Sequence, residues 1–244
     1  MRIGIIGRGT LGGTLARGFE RHPRVREIDS TTRASAGRNC AVVQSSDVVV
    51  VCVKPRDAAG VCAQIAPVLR DDQTLVSAVA AVDTSSIATW TQRRAHIVRV
   101  MPNTPARVAS GMTVVARAKE SNEDALEQTR QLFDAFGRTM VLDESLMDAV
   151  TAISGCGPAF IFVAIEAMID AAIALGIPYD QARVLVAQTV LGSGRLALES
   201  EMHPAALKHE VTTPAGRTIK GLLELETGNF RGTLMKAAIA SGGG

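Results

Sequence analysis

Met1-Arg2-Ile3-Gly4-Ile5-Ile6-Gly7-Arg8-Gly9-Thr10-Leu11-Gly12-Gly13 is the stretch that decides the fold. A short β-branched run leads straight into Gly7-x-Gly9-x-x-Gly12, and Thr14-Leu15-Ala16-Arg17-Gly18-Phe19 behind it reads as a helix. In such a unit the first glycine permits the tight strand-to-helix turn. The second lets backbone N–H groups approach a pyrophosphate, and the third lets the helix lie close on the strand. A lone glycine pattern is weak evidence. The strand before this one and the helix after it make it a dinucleotide-binding loop. The strand opens within the first residues, so no signal peptide is expected ahead of it.

Which nicotinamide cofactor fits is decided at the tip of the second strand, about 20 residues past the third glycine. That strand is expected over residues 25–29, and counting from Gly12 puts the tip at Thr31-Thr32-Arg33, with Asp29 a few residues early. Hydroxyls beside an arginine suit a 2′-phosphate through charge-assisted, bidentate bonds. An acid at the tip would instead bind the ribose hydroxyl and repel phosphate. NADPH is the expected cofactor, and a shift of register that brought in Asp29 would favour NADH.

Working outward, strands and helices alternate through the first half, which predicts a parallel sheet with helices on both faces. Asp47-Val48-Val49-Val50-Val51-Cys52-Val53 is a buried strand running into Lys54-Pro55, and a helix follows over residues 58–69. Leu75-Val76-Ser77-Ala78-Val79 and Ile97-Val98-Arg99-Val100-Met101 are further strands, the latter stopping at Pro102-Asn103-Thr104-Pro105. Ligands gather at such strand ends in open α/β sheets. Residues 113–116, a helix over 123–136 and a strand over 139–142 complete this half. From Leu146 onward the strand signals stop. Long helices are expected over 160–175, almost wholly apolar, and over 179–199. The fold class is therefore α/β: a Rossmann-type, doubly wound, mostly parallel sheet over residues 1–145, followed by an all-helical domain over 146–244. A helix that is apolar all round must be covered on every side. A segment of this size cannot cover several, so a partner subunit is expected.

Composition narrows the function classes. Of 244 residues 47% are hydrophobic, 3% aromatic and 20% charged, with a net charge of +2. No basic run interleaved with aromatics points to nucleic acid. The longest apolar stretches, such as 48–53, read as strand-sized and too short to span a bilayer. Cys40, Cys52, Cys62 and Cys156 lack C-x-x-C pairing and read as free thiols of a cytoplasmic protein, with Cys156 lying in a glycine turn. His22, His96, His203 and His209 show no zinc-ligand spacing, so no metal is expected and each reads as a surface or capping residue. Hydrolase motifs are missing.

Near the other end stands Val211-Thr212-Thr213-Pro214-Ala215-Gly216-Arg217-Thr218, directly before Ile219-Lys220-Gly221-Leu222-Leu223-Glu224-Leu225-Glu226, which reads as a helix. Unpaired N–H groups at a helix start, with threonine hydroxyls beside them, can hold a carboxylate without a dedicated lysine or histidine. An ordinary capped turn gives the same pattern.

Taken together, these stretches resemble the pyrroline-5-carboxylate reductases. The resemblance runs from Ile3 to about Ile239 and rests on the glycine loop, Val53-Lys54-Pro55, Arg99-Val100-Met101-Pro102-Asn103-Thr104-Pro105, Ser154-Gly155-Cys156-Gly157-Pro158-Ala159-Phe160 and the turn at 211–219. It implies reduction of the cyclic imine 1-pyrroline-5-carboxylate to L-proline by NAD(P)H. It assigns Gly7, Gly9, Thr10, Leu11, Gly12, Val53, Lys54, Pro55, Met101 and Asn103 to the cofactor. Thr31, Thr32, Arg33 and Asn39 match the 2′-phosphate and adenosine-ribose region. Thr213, Gly216, Arg217 and Thr218 would hold the substrate, with Thr218 as the catalytic hydroxyl near the imine nitrogen. The implied assembly is a homodimer, alone or built into a larger ring.

Three positions depart from the family pattern. Cys156 replaces the middle serine of Ser-Gly-Ser-Gly-Pro, Ala215 replaces a glycine with Arg217 close by, and Ala80-Ala81 stands where the family has Ala-Gly. Ala215 would be strained if its position needs positive φ. These changes leave open a related cyclic imino acid as substrate, or a non-catalytic dinucleotide-binding homologue. A hydroxyacid dehydrogenase would share the early half but calls for a lysine at the start of the long helix, where Pro158-Ala159-Phe160 stands.

Overall fold

The computed structural model describes residues 1–243, which divide into two compact units, Met1–Cys156 and Gly157–Gly244. In the first, β1 (Arg2–Ile6), β2 (Glu27–Thr31), β3 (Val48–Val51), β4 (Thr74–Ser77), β5 (His96–Pro102), β6 (Gly111–Arg117) and β7 (Gly137–Val141) form one sheet in the order β2-β1-β3-β4-β5-β6-β7. Strands β1 to β5 are parallel, β6 runs antiparallel to β5, and β7 is parallel to β6. Helices α1 (Thr10–Phe19), α2 (Asn39–Ser45), α3 (Pro55–Ile65), α4 (Thr84–Trp90), α5 (Glu123–Phe133) and α6 (Met147–Val150) belong to this unit.

Side chains alternate across a strand, and the two faces are sorted accordingly. Ile3, Ile5, Val48 and Val50 pack with Leu15, Phe19 and Phe133. Ile6, Val49 and Val51 pack with Val43, Cys62 and Ile87 on the other side. The four valines of β3 are fully buried, as a strand covered on both faces requires. Phe19 meets Phe133 and Phe136 edge-on at centroid distances of 5.6 and 5.1 Å, which locks α1 to the helix pair behind it.

Several boundaries differ from the sequence expectation by two or three residues, and two differences near the motifs have a local cause. Strand β2 begins two residues later and reaches Thr31, because Val25 is held in a turn (its N–H donates to the His22 carbonyl) while Thr31 pairs with Ile6. The glycine turn around Cys156 is helical: residues Thr151–Gly155 form a wide turn in which the Cys156 N–H donates to the Thr151 carbonyl five residues back, at 2.8 Å.

The second unit is all helical: α7 (Gly157–Ala174), α8 (Tyr179–Glu199), α9 (Pro204–Glu210), α10 (Arg217–Thr227) and α11 (Phe230–Ser241). Pro158 sits in the first turn of α7, where its missing N–H costs nothing. Gly176, at φ +88°, ends that helix. Ile165, Ile169, Ala172, Ile177, Ala182 and Val186 make a small core between α7 and α8. Apolar surface is otherwise bare: Phe162 is 60% exposed, Val163 66% and Leu175 83%. The run of helical residues Glu144–Ala174 is long enough to cross a bilayer, and 18 successive residues of it reach a mean hydropathy of 1.8, apolar enough to do so. That corrects the expectation of strand-sized apolar stretches only.

Burial pushes the Cys52 thiol up to about 12 and that of Cys62 to about 11. Both stay protonated in the fold while an unfolded chain loses these protons above about pH 8.5. Their contribution is therefore complete below that pH and lost as pH rises. Urea melts should show stability falling above pH 8.5 by up to about 1.4 kcal/mol per pH unit for each thiol. The Cys52→Ala, Cys62→Ala double variant should lose that alkaline slope, and a slope identical to the wild type would remove the two thiols as its source.

Candidate active site

Gly7, at φ +97°, turns the chain out of β1, and a Cβ there would stand 2.8 Å from the Cys52 carbonyl oxygen. A Cβ on Gly12 would collide with the Gly7 carbonyl, so α1 lies against the turn itself. Gly9 caps α1 without a side-chain bond, and a Cβ on it would meet nothing within 4 Å. The first N–H groups of α1, from Thr10 to Gly12, therefore have no intrahelical partner and back onto open space. A pyrophosphate fits such a cradle.

The loop is tied to β2 by two bonds to one atom. The N–H groups of Gly7 and Arg8 both donate to the Thr31 carbonyl, at 3.1 and 2.7 Å. The Thr31 hydroxyl donates to Asn39 Oδ1 at 2.7 Å, and Asn39 Nδ2 donates to Gln64 Oε1 at 2.9 Å. Thr31 and Asn39 are both buried, and their side chains are engaged with each other. They fix the strand tip from inside, and the groups that face solvent there are Thr32 and Arg33. Arg33 is paired with Asp57 at 2.9 Å, in the first turn of α3. Asp29, the alternative acid, is engaged by Arg38 at 2.8 Å and by the Ser30 N–H.

The remaining expected cofactor residues lie at the same edge. Val53 and Lys54 follow β3, and Pro55 is the first residue of α3. Met101, buried, is the penultimate residue of β5, and Asn103 follows the strand. All stand at the carboxyl ends of parallel strands, on either side of the point where β1 separates β2 from β3, which is where open α/β sheets bind ligands.

Two polar ties that were not singled out in the sequence hold the segment after β7 to β5. Asn103 accepts the Met112 N–H at 2.9 Å and donates to Ser154 Oγ at 3.3 Å. Arg99, buried, donates to Glu144 at 3.2 Å, and that carboxylate also accepts the N–H and hydroxyl of Thr84. Arg99 and Ser154 lie inside motifs quoted from the sequence, but the partners of Arg99 and Asn103 are 45 and 51 residues away.

In the second unit, the turn of residues 213–216 closes by the Gly216 N–H donating to the Thr213 carbonyl at 3.0 Å. Gly216 caps α10, so Arg217 and Thr218 are its first two residues and do not precede it as expected. The cause is Gly216: a Cβ there would collide with Thr213 Oγ1, and without one the chain turns helical two residues early. Thr213, Arg217 and Thr218 are exposed around that helix start.

Comparison with known proteins adds the lineage. Residues 144–242 match a family model described as pyrroline-5-carboxylate reductase dimerisation, and residues 2–81 match one described as NADP oxidoreductase, coenzyme F420-dependent. The chain is 37% identical to the pyrroline-5-carboxylate reductase of Pisum sativum, over 98% of this chain and 93% of that one. The chain belongs to the pyrroline-5-carboxylate reductase family. The Methanosarcina acetivorans member is 35% identical over 98% of this chain and 94% of its own. A crystal structure of the Plasmodium falciparum pyrroline carboxylate reductase with NADP bound superposes with a TM-score of 0.89, at 28% identity, covering 99% of this chain and 95% of that one.

Within the family pattern, the two alanines that stand in place of glycines are both left-handed, Ala81 at φ +56° and Ala215 at φ +58°. Both turns take a conformation that glycine adopts freely and alanine does not. An L-side chain there costs about 1–2 kcal/mol, partly offset by the lower entropy of unfolded alanine. Ala81→Gly and Ala215→Gly should therefore each raise stability by about 0.5–1 kcal/mol in chemical denaturation. A loss of stability in both would show that the surroundings already relieve the strain.

Proposed function

We propose that this protein reduces 1-pyrroline-5-carboxylate to L-proline with NADPH, the last step of proline biosynthesis. One observation carries the reading: close to full-length similarity to enzymes of that name, with the expected cofactor residues gathered at one sheet edge. Reduced nicotinamide, when bound, supplies the hydride for the C=N carbon, and a protonated imine needs little further activation. The chain's own work is positioning. Gly7, Gly9 and Gly12 shape the pyrophosphate cradle, with Thr10 and Leu11 offering N–H groups. Thr32 and Arg33 face the 2′-phosphate, Thr31 and Asn39 hold the strand tip beneath them, and Val53, Lys54, Pro55, Met101 and Asn103 line the remaining edge. Thr213, Gly216, Arg217 and Thr218 take the substrate carboxylate and imine. Residues 1–145 serve as the cofactor domain and 146–244 as the dimerisation and substrate domain of a cytoplasmic homo-oligomer. Arg217 and the constrained Ala215 favour one second reading, a related cyclic imino acid of different ring size or ring position. Rates on pyrroline-5-carboxylate, pyrroline-2-carboxylate and piperideine-carboxylates separate the two.

Thr218 stands at the second position of α10, and its hydroxyl makes no hydrogen bond among the described residues. Thr218→Ala should lower turnover by roughly 10-fold or more, about 1.4 kcal/mol of transition-state stabilisation. Unchanged turnover with a lowered Tm would reduce Thr218 to a helix-start residue.

The bare faces of α7 and α8 support a dimer in which each site draws on two chains. Leaving about 1,000 Å² of apolar surface wet would forfeit on the order of 25 kcal/mol of gross burial energy, more than a typical domain's stability. Gly9→Val should fold, since a side chain there meets nothing within 4 Å, and should be inactive because it fills the cradle. Mixing it with Thr218→Ala should restore part of the activity in exchanged dimers. A fully active monomer at nanomolar concentration in mass photometry would sink the two-chain site.

A further inference from the structure

Three arginines stand near the ends of β1 and β2, and their engagements differ. Arg33 is bound to Asp57 at 2.9 Å and Arg38 to Asp29 at 2.8 Å. Arg8 has no carboxylate partner among the described residues. Its backbone N–H is fixed on the Thr31 carbonyl at 2.7 Å, which anchors the side chain's root at the tip of β2. Its guanidinium reaches across to β2 and lies 3.5 Å from Ser30 Oγ, a weak bond that leaves most of its donors free. Asp29, one residue before Ser30, is neutralised by Arg38 and so does not oppose an incoming anion.

We infer that Arg8 is the specificity-determining residue for the 2′-phosphate of NADPH, a role that rests on the cofactor reading above. A phosphate that engages Arg33 meets the Asp57 carboxylate already bonded to its Nη2, and repulsion from that carboxylate offsets part of the gain. A phosphate that engages Arg8 forms new charge-assisted bonds to a guanidinium already rooted beside the strand tip. The hydroxyls of Ser30 and Thr32 flank that position. Arg33 contributes second, its charge already offset by Asp57.

The test is equilibrium binding, by calorimetry, of 2′,5′-ADP, 5′-AMP, NADPH and NADH to the full-length protein. Arg8→Gln should weaken 2′,5′-ADP and NADPH by about 10-fold or more while shifting 5′-AMP and NADH less than about 2-fold. Arg8→Lys, which keeps the charge but loses the fork, should fall between. Arg33→Gln should cost less than Arg8→Gln. In the wild type, 2′,5′-ADP but not 5′-AMP should protect Arg8 from phenylglyoxal, read by peptide mass spectrometry, which holds even if a variant fails to fold. Equal loss of NADPH and NADH in Arg8→Gln, a larger loss in Arg33→Gln, or no protection of Arg8 would overturn the inference and leave the NADPH reading standing. Wild-type protein that binds 2′,5′-ADP no better than 5′-AMP would overturn the cofactor reading itself, before any substitution is made.

Discussion

Everything at the working edge of this sheet hangs on a missing methyl group at Gly12. Because that residue has no Cβ, α1 can rest against the Gly7 carbonyl, and the turn between them can be as short as it is. The short turn leaves two successive N–H groups, those of Gly7 and Arg8, aimed at a single carbonyl at the end of β2. That pair of bonds fixes where β2 stops, and so where Thr32 and Arg33 emerge. Below them, the Thr31–Asn39–Gln64 chain of hydrogen bonds ties the same strand end to α2 and α3. One close backbone approach thus sets the positions of three neighbouring elements.

Much of this was legible in the residues because it is local. The glycine spacing, the four-valine strand, the proline stops and the almost wholly apolar α7 all act within a few residues of themselves. What could not be read depends on partners far away in the chain. The bracing of Thr31 is one case, because only the fold brings Asn39 beneath it. Arg99 sits inside a recognisable motif, yet its partner Glu144 arrives from beyond two further strands. The orphaned Nε and Nη2 of Arg99 show how much that burial demands of a single carboxylate. The early start of α10 was missed for a different reason. A glycine can end a turn or begin a helix, and the clash with Thr213 that decides between them is visible only in three dimensions.

The two units are stabilised in different ways. The sheet unit is self-sufficient, with two buried clusters and a set of three phenylalanines closing one face. The helical unit has one small cluster, and helices α9 to α11 contain no buried residue. Its apolar surface is therefore a statement about assembly rather than about folding in isolation, in keeping with the dimerisation model that residues 144–242 match. The bilayer-like hydropathy of residues 144–174 follows from the same demand. Lipid and a second protein surface ask for the same side chains.

The left-handed alanines have a consequence in time as well as in energy. A turn held about 1 kcal/mol above its glycine counterpart gives up that excess whenever it opens, so its open population rises roughly fivefold. At the start of α10 that loosens the residues proposed to hold the substrate, and shortens the dwell of anything small that they retain. A sequence change that lowers melting temperature can in this way also quicken local opening.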